Sequence, residues 1–215
     1  MARTEPQHGN AHPTPSLSAL PGHEGFMEAL AQAIADDSAS KRTVVVLVDV
    51  DLFGAFNEAQ GRAAGDALLE DTARIMAAQF GEDGVVARYG GDAFAAVLPG
   101  WEREAAFLRA EAARRDVEGL ERPARATVSV GVAMHPDDAQ RDTELVRKVN
   151  EALYRAKVSG RNRVCLAQAE KMITKTSHYG QGQLAGLSRL AKRLGVNEAA
   201  LLREALDDLL RKHND

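Results

Sequence analysis

Apolar positions along this chain switch between a helical period and a strand period. Phe26, Leu30 and Ile34 share one helical face, and Asp36-Asp37-Ser38 ends that segment. The apolar run Val44 to Val48, within Thr43 to Val50, predicts a strand buried on both faces. From Gly65 to about Phe80 a second helix turns Leu68, Leu69, Ala73 and Met76 inward. A hairpin follows, joined through Gly90-Gly91, a pair suited to a tight turn with positive φ. Glu102 to about Val117 predicts a charged, alanine-rich helix lying over a sheet face. Residues 126–132 alternate at period two, as a strand does. Leu145, Val149, Ala152, Leu153 and Ala156 define a further helix stopped at Gly160, and residues 163–166 a last strand. Strands interleaved with helices predict an α/β sandwich on one sheet.

The two ends differ from this body. Residues 1–16 carry His, Pro, Asn and Thr without periodicity and are expected to be a disordered lead. Past residues 17–167, a smaller unit occupies 172–213: an extended segment from Met172 to Tyr179, then two amphipathic helices. Leu184, Leu187, Leu190, Ala191 and Leu194 line the first, closed by Gly195; Asn197 is a ready N-cap for the second, lined by Leu201, Leu202, Ala205, Leu206 and Leu209. So small a strand-helix-helix unit offers little core and is expected to dimerise.

Charge sharpens the division. The chain of 215 residues has net charge −4; from Lys171 onward eight basic and five acidic residues give +3, leaving −7 for the remainder. The body thus shows no basic nucleic-acid footprint, whereas the tail is electrostatically distinct. The single cysteine, Cys165, excludes an intrachain disulfide and reads as a buried, inert thiol in a core strand. No apolar stretch is long enough for a membrane span and the start has no signal-peptide core, so a cytoplasmic location without a membrane partner is expected.

The chemistry concentrates at two places. Asp49 and Asp51 end the apolar strand, and Asp92 follows the Gly90-Gly91 turn within Arg88-Tyr89-Gly90-Gly91-Asp92-Ala93-Phe94. Carboxylates at strand ends and turns can be held close without burying charge in a core, as a divalent-cation site for nucleotide phosphates requires. The six histidines show no metal-ligand spacing, and neither a serine elbow nor a Walker loop is present.

Taken in register, these motifs resemble the GGDEF family of diguanylate cyclases over roughly residues 17–166. Leu17-Ser18-Ala19-Leu20-Pro21 is similar to the family's opening segment. Asp49-Val50-Asp51-Leu52-Phe53 with Asn57, Gly61, Gly65 and Asp66, the turn at 88–94, Val128 to Val132, and Leu153 to Asn162 match successive family blocks. The resemblance implies a palm-like fold and GTP or a related guanine nucleotide as ligand, with Mg²⁺ or Mn²⁺. It makes Asp49 and Asp92 metal ligands and Asp51 a neighbour. Backbone amides near Leu52 to Gly54, around Phe53, are expected at the phosphates, Gly90 and Gly91 at the substrate, and Asn57 and Asp66 at guanine, whose N1–H and amino group a carboxylate can accept from. Lys157 and Arg161, read as one helical turn apart, would face the triphosphate. Simpler readings stand beside these: Asp66 as a helix cap, Lys157 and Arg161 as a solvated helix end.

The sequence also departs from the family. Ala93 stands where a Glu is expected to take part in catalysis beside Asp92, so a poor cyclase is expected. Two readings follow: a natural domain holding GTP without turnover, or a working cyclase inactivated at one position and converting two GTP to c-di-GMP when intact. Gly81 and Gly84 replace the Arg and Asp of the family's product-binding site, so feedback there is not expected. Gly54 for a usual Lys and Asn150 for a usual Asp would weaken phosphate contact and helix docking.

The tail resembles a ribbon-helix-helix module, a dimeric fold whose paired strands lie in the major groove of double-stranded DNA. The resemblance points Lys175, Ser177 and Tyr179 at bases, although His178 and Gly180 then fall at core-facing positions. A helical dimerisation hairpin is the alternative. With the body, the module implies a homodimeric, nucleotide-responsive DNA-binding regulator.

Overall fold

The computed structural model describes residues 17–35, 42–168 and 176–213, and the chain divides into two compact units, 1–169 and 170–215. The first unit opens with a single 3₁₀ turn, Leu17–Ala19, and then runs α1 (His23–Ala35), β1 (Thr43–Val50), α2 (Phe53–Gln60), α3 (Arg62–Phe80), β2 (Val85–Arg88) and β3 (Ala93–Pro99). It continues with α4 (Arg103–Glu118), β4 (Val128–His135), α5 (Asp142–Val158) and β5 (Val164–Leu166). The five strands form one sheet in the order β2-β3-β1-β4-β5, antiparallel except for the β4–β5 pair.

Both faces of that sheet are covered, which explains why β1 is apolar at successive positions. Val44, Val46, Val48 and Val50 point to the face packed by α3 and α4, with Leu68, Met76 and Ala110. Val45 and Leu47 point to the face packed by α1 and α5, with Phe26, Leu30, Val149 and Leu153. Asp49 therefore projects on the α1/α5 face. Its neighbour across the β1–β3 register is Ala93.

The alternation of residues 126–132 has a different cause from solvent exposure on one side. Every residue from Val128 to Met134 is buried. Ser129 is a donor, bonding Asp51, and Gly131 is small because α5 crosses close: a Cβ on Gly131 would stand 2.4 Å from the Val149 carbonyl oxygen and 2.6 Å from the Leu153 nitrogen. These are backbone atoms that cannot swing aside. Gly131→Ala is expected to lower unfolding stability by about 1–3 kcal/mol, the usual cost of overpacking. A urea midpoint equal to that of the parent would show that α5 yields.

Four local expectations are corrected. Gly90 and Gly91 do not take positive φ; among the described residues the positive-φ glycines are Gly61, Gly100, Gly160 and Gly195. The turn is instead wide, closed by the Tyr89 and Gly90 N–H groups donating to the Ala93 carbonyl at 2.9 and 3.1 Å, so no two-residue hairpin is needed. A helix, α2, fills residues left unassigned before Gly65, and α3 begins at Arg62. Arg161 lies beyond the end of α5 in a left-handed turn, φ 62°, rather than one turn up the helix from Lys157. Cys165 is half-buried, because β5 is a short edge strand.

The second unit holds α6 (Gln181–Leu194) and α7 (Glu198–His213), with Gly195 closing α6 at φ +67°. Leu194, Leu206 and Leu209 are each more than half exposed, as expected of an apolar face that a single chain leaves uncovered. The expected lead 1–16, the break at Asp36–Ser38 and the segment 172–175 lie outside the described residues. Residues 176–179, the described part of the expected extended segment, carry no strand; strands of such a ribbon pair only between two chains.

Candidate functional site

Acidic and basic side chains meet where β1 ends and β3 begins. The Lys157 ammonium on α5 donates to Asp49 Oδ1 at 2.7 Å. Burial pushes the Asp49 carboxyl above its ordinary range; the Lys157 ion pair opposes this, and the charges of Asp92 and Asp51 add to it. Asp92 is held in place by its backbone, its carbonyl accepting from the Val50 N–H at 3.1 Å. Among the described residues no cluster of three or more His, Cys, Asp or Glu side chains suits a metal. Asp92 stands near enough for its charge to push the Asp49 carboxyl up, and two neighbouring carboxylates are compatible with Mg²⁺, which is commonly bound through one or two carboxylates together with substrate phosphates.

The signature turn is tied to both helices of its face. The Arg88 N–H donates to the Pro21 carbonyl at 2.8 Å, and the Arg88 guanidinium donates to the Gly91 carbonyl at 2.8 Å. Tyr89 meets His23 and Phe26 edge-on, with ring centroids 5.0 and 5.3 Å apart. The Asn150 side-chain amide donates to the Tyr89 hydroxyl at 3.3 Å and to the Val146 carbonyl at 2.8 Å, so the amide at this position still joins α5 to the turn. Gly90 and Gly91 are exposed, and nothing lies within 4 Å of where a Gly91 Cβ would be. Bare, accessible backbone is what a close-approaching ligand needs.

Asp51 stands apart from Asp49 in chemistry. It is buried and its carboxylate is engaged by the protein: Thr127 and Ser129 hydroxyls donate at 2.8 and 2.7 Å, and the Asn162 N–H donates at 3.1 Å. A carboxylate accepting three donors fastens β1, β4 and the turn after α5 together. Thr127, Ser129 and Asn162 were not singled out from sequence; hydroxyls at 127 and 129, in line with an acid beyond the neighbouring strand, were the available signal.

At the start of α2, Leu52 adopts a left-handed conformation, φ 55° and ψ 34°, with its side chain exposed. This turns the chain so that the first N–H groups of α2, from Phe53 onward, are unpaired within the helix and open to an anion. The Phe53 ring itself packs inward against the core and beside Gly65. Asn57 is pressed on Gly65 so closely that a Cβ there would overlap its Oδ1 at 1.7 Å. That oxygen is buried without a hydrogen-bond partner, a costly state that a ligand donor would relieve. Asp66, next in sequence, lies exposed on α3.

The sequence reading thus splits as follows. Asp49, Asp92, Ala93 and Lys157 share one corner; Phe53 and Asn57 press on Gly65 where α2 meets α3, with Asp66 exposed beside that glycine; Arg161 sits on the turn joined to Asp51. Of the residues expected at DNA, Lys175 lies outside the described residues, while Ser177 and Tyr179 are exposed in the irregular segment before α6.

On α4, Glu118 accepts from Arg114 at 2.7 Å and from the Asn162 amide at 3.0 Å, and pairs with Arg125. The Arg125, Arg114 and Asn162 bonds hold its carboxyl down at about 2, against 4.5 ordinarily. A depressed carboxyl contributes stability that is fully present above its unfolded value and is lost as pH falls toward the folded one. The stability gap between the parent and Glu118→Gln is therefore expected to close between pH 4.5 and about 2, and to shrink with salt because the side chain is 28% exposed. Urea midpoints of both proteins across that range, flat with respect to each other, would contradict it.

Comparison with known proteins identifies the family of the fold. Residues 14–163 match the GGDEF diguanylate cyclase domain, and residues 181–214 match the ribbon-helix-helix domain. Diguanylate cyclase A of Treponema denticola is 33% identical over 129 residues, covering 58% of this chain and 35% of that protein. Crystal structures of the GGDEF domains of DgcB from Caulobacter crescentus, in complex with c-di-GMP, and of TpbB from Pseudomonas aeruginosa superpose with TM-scores of 0.65 and 0.67. They are 27% and 29% identical, covering 74% and 72% of this chain and 99% and 94% of theirs. The chain spans about a third or less of the curated cyclases it matches first, at 35%, 21% and 30% of their lengths. No described helix is long and apolar enough to cross a membrane. Matched over most of its length and folded as these domains are, the chain belongs to the GGDEF diguanylate cyclase family and carries a ribbon-helix-helix segment after that domain.

Proposed function

We propose that the first unit binds GTP with Mg²⁺ and turns it over slowly or not at all, while the second pairs two chains and binds double-stranded DNA in response to nucleotide. One observation carries the first half. Ala93 is the direct cross-strand neighbour of Asp49 on the same sheet face, so a methyl group stands where a third acidic side chain would complete the corner. The binding apparatus around it supports retention of the ligand. Asn57 Oδ1 awaits a donor, Asp66 is exposed beside it to accept from the guanine edge, and Lys157 and Arg161 supply cations for the phosphates. Asp49 and Asp92 would hold the metal, which when bound supplies charge compensation at the phosphates.

Binding by Lys157 has a consequence for Asp49. The two are paired at 2.7 Å, so a triphosphate that draws Lys157 away frees a carboxylate oxygen for a cation. Nucleotide and metal are expected to strengthen one another's binding. Calorimetry with GTP and Mg²⁺, alongside chromatography of the reaction mixture, tests the reading. Binding that is abolished in Asp49→Ala, without c-di-GMP accumulating, is the expected result. Absence of GTP binding, or steady conversion to c-di-GMP by the unaltered chain, overturns it.

For the second half, the ribbon-helix-helix match and the uncovered apolar face of α6 and α7 support a dimer. Dimerisation would hold two GGDEF domains at high local concentration. DNA affinity that does not move with saturating GTP would remove the regulatory link.

A further inference from the structure

Arg161 and Asn162 are consecutive non-glycine residues in the left-handed region, at φ 62° and 47°. Such backbone persists only where its surroundings over-determine it, and it gathers at functional sites. Here the surroundings act on Asn162. Its N–H donates to Asp51 Oδ2 at 3.1 Å, its side-chain nitrogen donates to Glu118 Oε1 at 3.0 Å, and its Oδ1 accepts from Arg114 Nη1 at 2.8 Å. Arg114 is itself fixed on α4 by Glu111 and Glu118, at 3.1 and 2.7 Å. A primary amide offers a donor to a carboxylate and an acceptor to a guanidinium at the same time, on two separate atoms that reach both partners. An Asp there would face Glu118 with like charge, and an apolar residue would satisfy neither partner.

What this clamp holds is Arg161. Its N–H donates to the Ala156 carbonyl at 3.0 Å and its carbonyl accepts from Arg163 Nε at 3.1 Å, so the backbone on both sides is fixed while the side chain is exposed. Lys157, four residues earlier, is paired with Asp49, and Asp51 is two residues beyond Asp49. The turn therefore stands at the corner where the phosphates are placed in the reading above.

We propose that Asn162 is a positioning residue for the nucleotide site: gripped between Arg114 and Glu118 on α4 and tied to Asp51, it fixes the left-handed turn that presents Arg161 to the polyphosphate. Asn162 does not touch the ligand. It acts through Arg161, and it makes the geometry of the site depend on α4. The inference rests on the GTP reading, and its test separates the two.

The test is a double-mutant cycle in the full chain with Mg²⁺, reading affinity for GTP by calorimetry and for guanosine by chemical-shift titration. Asn162→Gly is the informative change, because glycine keeps the left-handed backbone without strain and removes only the clamp. It is expected to weaken GTP roughly tenfold, within the range of coupling between contacting residues. Guanosine affinity should stay within about twofold, and the double variant with Arg161→Ala should bind GTP no more weakly than Arg161→Ala alone. Arg114→Met, which withdraws the donor to Asn162 Oδ1 and leaves the turn's sequence intact, should give the same pattern and serves if Asn162→Gly does not fold. Unchanged GTP affinity in both variants, while Arg161→Ala weakens it, overturns the positioning role. Equal weakening of guanosine and GTP, or losses that add to Arg161→Ala, also overturns it in favour of a general structural part. A chain that binds no GTP at all, or whose Arg161→Ala variant binds normally, instead removes the nucleotide reading beneath it.

Discussion

Ala93→Glu is expected to raise the rate of c-di-GMP formation from GTP by about 10²–10⁴-fold, the usual worth of a positioned acid–base group. The larger value applies if the added carboxylate also helps hold a metal. The register places residue 93 opposite Asp49, so the new side chain would emerge beside the existing acid and on the face shared with Lys157. Nothing in the backbone opposes the change. Ala93 shapes the turn through its carbonyl, which accepts from Tyr89 and Gly90, and that carbonyl is independent of the side chain. Gly90 leaves space nearby, since a Cβ there would sit 3.8 Å from the Ala93 Cβ. The added charge comes with a cost, because Asp49 is already pushed upward by burial and by Asp92 and Asp51. Activity of the variant should therefore depend more steeply on Mg²⁺ than nucleotide binding by the parent does. Product is read by chromatography at matched GTP occupancy. A variant that binds GTP as the parent does and still forms no c-di-GMP would show that position 93 is not the only block.

How much of this was legible follows the kind of interaction involved. The buried strand β1 was readable because both sheet faces are covered, leaving an uninterrupted apolar run. The helices α3 and α5 were readable because their inward residues repeat at helical spacing. Asp49 and Asp92 stood out as acids bordering apolar strands. By contrast, α2 was missed: it is eight residues long and buries only Phe56, too little to leave a periodic signal. The positive φ expected of Gly90 and Gly91 was inferred from a two-residue turn, whereas the actual turn takes its closure from residue 93. The four-residue spacing reads Lys157 and Arg161 as one helical turn apart, whereas the helix ends at Val158 and the left-handed turn beyond it is tied to Asp51, far away in sequence. Long-range polar partners such as Thr127 with Asp51, or Asn162 with Arg114, have no local periodicity to announce them.

Asp51 and Asp49 are two residues apart and carry the same side chain, yet their replacements are expected to have opposite consequences. Asp51→Ala should cost roughly 3 kcal/mol or more of unfolding stability, since hydrogen bonds to a charged group contribute about 1.5–3 kcal/mol each and buried donors would be stranded. The Thr127 and Ser129 hydroxyls and the Asn162 N–H all end on that carboxylate. Asp51→Asn should cost less, because an amide oxygen at the Oδ2 position still accepts from Thr127 and from the fixed Asn162 N–H, while the Ser129 hydroxyl can rotate to accept from the amide nitrogen. Asp49 has only Lys157 as its hydrogen-bonded partner among the described contacts, and burial disfavours its charge. Asp49→Asn is thus expected to leave stability nearly unchanged while removing Mg²⁺-dependent GTP binding. Urea unfolding and GTP calorimetry on the same three variants separate the roles. If Asp51→Ala unfolds at the parental midpoint, Asp51 is not the fastener of this corner. If Asp49→Asn keeps Mg²⁺-dependent binding, the metal is held elsewhere. With both outcomes in hand, one acid would hold the fold while the other, left only a displaceable lysine, would make the end of β1 a site rather than a strand end.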